Sequence, residues 1–180
     1  MYSFLSSQQK PKFNFKGMLH RLLTRITGIL AIVIIFNLGS LPAFAANVDS
    51  YIVRFLHVNE PIALEINSKG ETRSFSPQDL SSGKQLFESN CMNCHVGGAT
   101  LPDPAKSLAL KTLSSANPPR NNIDSLVTFF RQPMTYDGSE ETYWCRQVPE
   151  SWLSNTEAEN LAAFVLTAAQ KARGWGAESF

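Results

Sequence analysis

Hydrophobic and polar positions change period several times along the chain, and the changes mark out its elements. Ile62, Leu64 and Ile66 alternate with Ala63 and Glu65, and Asn67-Ser68-Lys69-Gly70 supplies turn residues before residues 71–75. This pattern predicts a small β-hairpin. The period then becomes three and four at Leu80, Gly83, Phe87 and Cys91. Ser76-Pro77-Gln78-Asp79 precedes them with an N-cap, a proline at the first helical position and an acid in the first turn, so a helix starts there. Glycine destabilises a helix interior, and Gly83 is best explained by a second helix crossing closely. Turn formers crowd residues 96–120, at Gly97-Gly98, Pro102, Pro104 and Pro118-Pro119, leaving room for a short helix over 107–115 with Leu108, Leu110 and Leu113. Asn121 or Asn122 caps a further helix whose stripe of Ile123, Leu126, Val127 and Phe130 reads as core and stops at Pro133. Thr135-Tyr136-Asp137-Gly138 is a turn. Ser154 with Glu157 forms a capping box for the last helix, in which Ala158, Leu161, Val165 and Ala168 share a face beside Phe164. That helix is expected to cross the one bearing Gly83 and Phe87. Residues 47–60, with His57 among them, show no clear period.

The first 45 residues follow a different plan. Lys10, Lys12, Lys16, Arg21 and Arg25 stand without an acidic residue, an apolar run follows from Ile26 to about Phe36, and Ala43-Phe44-Ala45 offers an A-x-A site. These are the three parts of an export signal, with cleavage expected after Ala45. The competing reading is an uncleaved anchor over 26–46, which Asn37, Gly39, Ser40 and Pro42 interrupt. The division expected is a signal peptide over 1–45, an N-terminal segment with the hairpin over 46–76, and the main domain over 77–180. Charge alters the picture here. The whole chain is near neutral, at +1, but removing five of 16 basic residues and none of 15 acidic ones leaves an acidic mature protein. Such a balance disfavours nucleic acid and suits docking to a basic surface.

Chemistry concentrates in Cys91-Met92-Asn93-Cys94-His95. Two thiols one helical turn apart can add to the vinyl groups of a haem while the adjacent imidazole coordinates its iron. A thioredoxin-like pair would need a βαβ context, and a zinc site a second pair of ligands. Neither is present, since the remaining cysteine is Cys145 and the remaining histidine of the mature chain is His57. One covalently bound haem c is therefore expected, attached through Cys91 and Cys94, with His95 as axial iron ligand. In an oxidising compartment Cys145 then has no partner within the chain. For the sixth iron position, no histidine follows His95, His57 lies on the wrong side of the motif, and Met92 is inside it. Met134 and Cys145 remain. Helices around such a motif, with a long loop before the last, resemble an all-α monohaem cytochrome c fold, here with a small N-terminal β-hairpin.

From about Ile62 onward the chain also resembles the low-potential cytochrome c-550 family of cyanobacterial photosystem II. The resemblance is carried by Asn67-Ser68 with Gly70, Gly83-Lys84 with Leu86-Phe87, Cys91 through Gly98, Pro118-Pro119-Arg120 with Asn122-Ile123, Thr135 through Gly138, and Trp175-Gly176. It implies an extrinsic, lumenal electron-transfer protein peripheral to the thylakoid membrane, with photosystem II and an electron donor or acceptor protein as partners. It further implies two histidine ligands, the second shortly after the T-Y-D-G turn. Cys145 occupies about that place, which favours it over Met134. A thiolate there predicts a low-potential, low-spin ferric haem whose sulfur ligand is labile on reduction. Two other readings compete: a freely diffusing lumenal or periplasmic carrier, which would want methionine at the iron, and a thiolate-ligated haem sensor or sulfur-oxidising protein. No nucleophile–base constellation or phosphate loop points to an enzyme.

Overall fold

Each long helix begins where a short polar side chain can take up free amides. In the computed structural model, which describes residues 20, 24–27, 48–101 and 103–177, α2 (Pro77–Asn90) opens with Ser76 Oγ accepting from the Asp79 amide at 3.1 Å. Asp79 Oδ2 returns the contact to the Ser76 amide at 2.8 Å. The same reciprocal box, worth about 1 kcal/mol, joins Asn122 to Ser125 at α4 (Ile123–Arg131) and Ser154 to Glu157 at α5 (Asn155–Lys171). The cap of α4 is thus Asn122.

The chain divides into two compact units, Met1–Ala45 and Ala46–Phe180. The export signal and the alternative anchor fall almost wholly outside the described residues. Among the described residues no helix is long and apolar enough to cross a membrane.

Helix α5 is the axis of the second unit. Leu161, Ala162, Ala163, Phe164, Val165, Leu166 and Ala168 are all buried, so it is packed nearly all round. Its small residues let α2 approach closely: a Cβ placed on Gly83 would overlap the Asn160 carbonyl and lie 2.9 Å from Phe164 Cβ. The close crossing expected at Gly83 is present.

The hairpin pairs β1 (Ile62–Glu65) with β2 (Thr72–Phe75), Ile62 opposite Phe75 and Glu65 opposite Thr72. Leu64 and Phe75 enter the core. Ile66 O accepts from the Asp124 amide at 2.8 Å, fixing the hairpin to the start of α4.

Two segments differ from the hydrophobic pattern. Residues 47–60 contain a short helix, α1 (Ser50–Arg54), and Ile52, Leu56 and Val58 are essentially fully buried. Five helical residues are too few to show a period. Asp49 caps α1 and pairs with Lys84 Nζ at 2.9 Å, tying this segment to α2. The helix expected over 107–115 is shorter, α3 (Leu110–Ser115), behind a 3₁₀ turn at Pro104–Lys106. The reason is that the Leu108 amide donates to Gly98 O at 2.7 Å and Leu108 O accepts from Trp175 Nε1 at 3.1 Å, so that residue's backbone is committed elsewhere. Leu113 is buried, Leu108 packs at the core margin, and Leu110 remains partly exposed.

Candidate haem site

The attachment motif is the unwinding end of α2. Cys91 is its C-cap, donating its amide to Phe87 O at 2.8 Å, and Cys91 O accepts from the amides of Cys94 and His95 at 3.1 and 3.0 Å. One tight turn therefore gathers both thiols and the imidazole. Gly97 and Gly98, with φ of 58° and 80°, reverse the chain beyond it. Gly98 lies under the Trp175 ring, which a Cβ would approach to 2.6 Å, and Gly176 N donates to Gly97 O at 2.8 Å. Trp175 itself rests between Phe87 and Phe164, at ring separations of 5.5 and 5.9 Å.

His95 is held in a defined tautomer. Its Nδ1 lies 3.1 Å from Ala99 O and 3.1 Å from Thr100 Oγ1. A carbonyl can only accept, and Thr100 already spends its hydroxyl proton on Lys106 O at 2.8 Å. The ring proton consequently sits on Nδ1, leaving the Nε2 lone pair for a metal. Burial pushes the His95 pKa down, against the Ala99 contact, which keeps the ring neutral. Neutral imidazole is the form that binds iron.

Cys145 lies in the long segment between α4 and α5, which side chains hold at both ends. At its start Arg120 Nη2 donates to Met134 O at 3.1 Å and Thr135 O at 2.6 Å, with the guanidinium 4.0 Å above the Phe129 ring. The T-Y-D-G turn is bound to residues 112–117: Tyr136 OH donates to Thr112 O at 2.8 Å and Asn117 Nδ2 to Asp137 O at 2.9 Å. Thr135 and Ser139 both donate to Asp137 Oδ1 and hold that carboxyl down at about 2. At the other end Arg131 donates to Val148 O at 2.8 Å and Leu153 O at 2.9 Å. A cleft of about 200 Å³ opens beside Cys145, between Pro133, Tyr143 and Arg146.

Though far from them in sequence, Cys145 shares one electrostatic neighbourhood with Cys91 and Cys94. Burial pushes Cys91 up to about 12, and the nearness of Cys145 and Cys94 adds to the shift. Cys145 is raised by burial, while Arg120 pulls the other way. Met134 sits in an isolated bridge with Glu141, its carbonyl taken by Arg120. His57 is exposed in the α1–β1 connection with a left-handed φ of 53°. The residues present fit a covalently attached haem: two thiols and a neutral imidazole with a free Nε2 on one turn, and a third sulfur within electrostatic reach. The hydrophobic pattern did not disclose Arg120, Arg131 or Thr100 as parts of the site. Arg120 and Trp175 had a signal only as positions shared with the resembled family.

A helical frame of this kind around such a turn defines a c-type cytochrome, and the comparisons narrow it. The cytochrome c-550 domain model matches residues 55–180, and the chain belongs to that family. It is 51% identical over 154 residues to the cytochrome c-550-like protein of Thermosynechococcus vestitus, covering 85% of this chain and 88% of that one. It is 55% identical over 132 residues to photosystem II extrinsic protein V of Gloeobacter violaceus, covering 73% and 71%. Among solved structures, the PsbV2 cytochrome of Thermosynechococcus elongatus superposes with a TM-score of 0.71 at 55% identity, over 72% of this chain and 99% of that one. Cytochrome c549 follows at 0.56 and 29% identity, over 60% and 90%. The fold is that of cytochrome c, and the chain is an electron-transfer protein that binds haem c covalently.

Proposed function

We propose that this protein is a low-potential, thiolate-ligated monohaem cytochrome of the thylakoid lumen. In this reading it associates peripherally with the lumenal surface of photosystem II, or substitutes there for the extrinsic cytochrome it resembles. Haem c supplies one-electron exchange between ferric and ferrous iron. Cys91 and Cys94 would hold it through thioether bonds, and His95, through Nε2, and Cys145, through its sulfur, would be its iron ligands. Met134 is the runner-up for that last position. The observation that carries the reading is the third thiol: Cys145 lies within electrostatic reach of Cys91 and Cys94, on a segment braced by two arginines. An anionic sulfur donor favours the ferric state and lowers the potential, whereas a thioether raises it.

Placement beside photosystem II is supported by relatives named photosystem II extrinsic protein V in Gloeobacter violaceus and Cyanidium caldarium. It also agrees with the acidic balance left once the basic first 45 residues are set aside. The decisive measurement is the optical and electron-spin-resonance spectrum of the ferric protein before and after Cys145→Ala. A large change is expected, and identical spectra would exclude sulfur from Cys145. Co-purification with photosystem II under gentle isolation tests the partner, and its absence counts against that assignment alone.

A further inference from the structure

We propose that Arg120 is the positioning residue of the sixth iron ligand: its guanidinium, stacked on Phe129, grips the start of the segment that carries Cys145. The inference rests on Cys145 being that ligand.

Arg120 is fixed along its whole length. Its amide donates to Leu113 O at 2.9 Å, its guanidinium stacks 4.0 Å from the Phe129 ring centre, and Nη2 forks to the carbonyls of Met134 and Thr135. A planar, delocalised cation can stack and donate at once, and the compact ammonium of lysine cannot. The two carbonyls begin the segment that reaches Cys145, so the fork sets where that segment leaves the body of the protein.

The test uses the holoprotein with Arg120→Gln and Arg120→Lys, reading the affinity of the ferric form for exogenous imidazole and the ferric spectrum. Neither side chain can stack on Phe129 and fork to both carbonyls at once, so imidazole should displace the sulfur about tenfold more readily in each variant than in the parent. A role confined to stability would lower Tm in both variants with imidazole affinity and ferric spectrum as in the parent, and that result overturns the proposal. Should Arg120→Gln not accumulate as holoprotein, the imidazole affinity of Arg120→Lys decides alone. Spectra unchanged in Cys145→Ala would remove the ligand assignment itself, whereas spectra altered there but not in the Arg120 variants would remove only this inference.

Discussion

Residues 96–108, after the attachment motif, and residues 132–153, around Cys145, are both loops of irregular backbone, yet they are held in different ways. The first is closed largely by main chain: Leu101 N to Cys94 O at 2.9 Å, Leu108 N to Gly98 O at 2.7 Å, and Gly176 N to Gly97 O at 2.8 Å. Trp175 lies against it, and Gly98 and Ala99 are buried. The second is held chiefly by side chains, those of Arg120, Arg131, Asn117 and Tyr136. Of its own aromatics only Tyr136 is one of these tethers, whereas Tyr143 is 97% and Trp144 82% exposed. Main-chain tethers survive most substitutions, whereas a side-chain tether is lost with one. The segment after His95 is accordingly the constant one, and the segment around Cys145 is the one that sequence change can retune.

The largest test breaks the first region outright. Replacing both Cys91 and Cys94 with Ala should abolish the covalent link, so that denatured protein run on a gel loses all peroxidase stain. Gly83→Val comes next, because its side chain would meet the Asn160 carbonyl and Phe164 at the α2–α5 crossing. Overpacking there should cost ~3 kcal/mol, lowering Tm by about 10 °C in a thermal melt. It should loosen the attachment turn along with the frame.

Arg131→Met addresses the second region by itself. It strands the carbonyls of Val148 and Leu153, whose loss of a donor should cost about 2 kcal/mol; the arginine's own unpartnered Nε offsets a little of that. Hydrogen exchange should quicken across residues 132–153 and stay unchanged over 77–101. Uniform quickening would refute the independence of the two regions.

The smallest effect concerns a contact outside both. Burial opposes charge on Asp49 and Lys84, but their hydrogen bond and mutual attraction, with Glu88 and the Tyr51 amide, lower Asp49 and raise Lys84. The Asp49 contribution is present above its ordinary value of 3.8 and is lost as pH falls through the lower folded value. That of Lys84 is present below 10.5 and is lost as pH rises through the higher folded one. Lys84→Met should cost under about 1 kcal/mol at neutral pH, and should flatten the acid limb of a stability–pH curve by the same amount.

Features encoded by near neighbours are legible in the sequence itself. The capping boxes at Ser76, Asn122 and Ser154, the hairpin, the Gly83 crossing and the five-residue attachment motif all depend on residues a few positions apart. The parts that are not legible depend on distant main chain. Arg120 and Arg131 donate to carbonyls 14 to 22 positions away, and one carbonyl looks like any other in a sequence. Helix α1 is hidden because Ile52, Leu56 and Val58 follow no single period, and α3 is shorter than its pattern suggests because Leu108 bonds to Gly98 and Trp175. Both Met134 and Cys145 lie on the braced segment, and composition gives no means of ranking them.

The partners of His95 have one more consequence. Its Nδ1 faces a main-chain carbonyl and a threonine hydroxyl rather than a carboxylate. Neither neighbour can gain or lose a proton in the physiological range, so electron arrival at the metal has no acid–base relay to drive through that ring. With His95 as axial ligand, a potential that varies with pH would report on groups other than the hydrogen-bond partners of this ring.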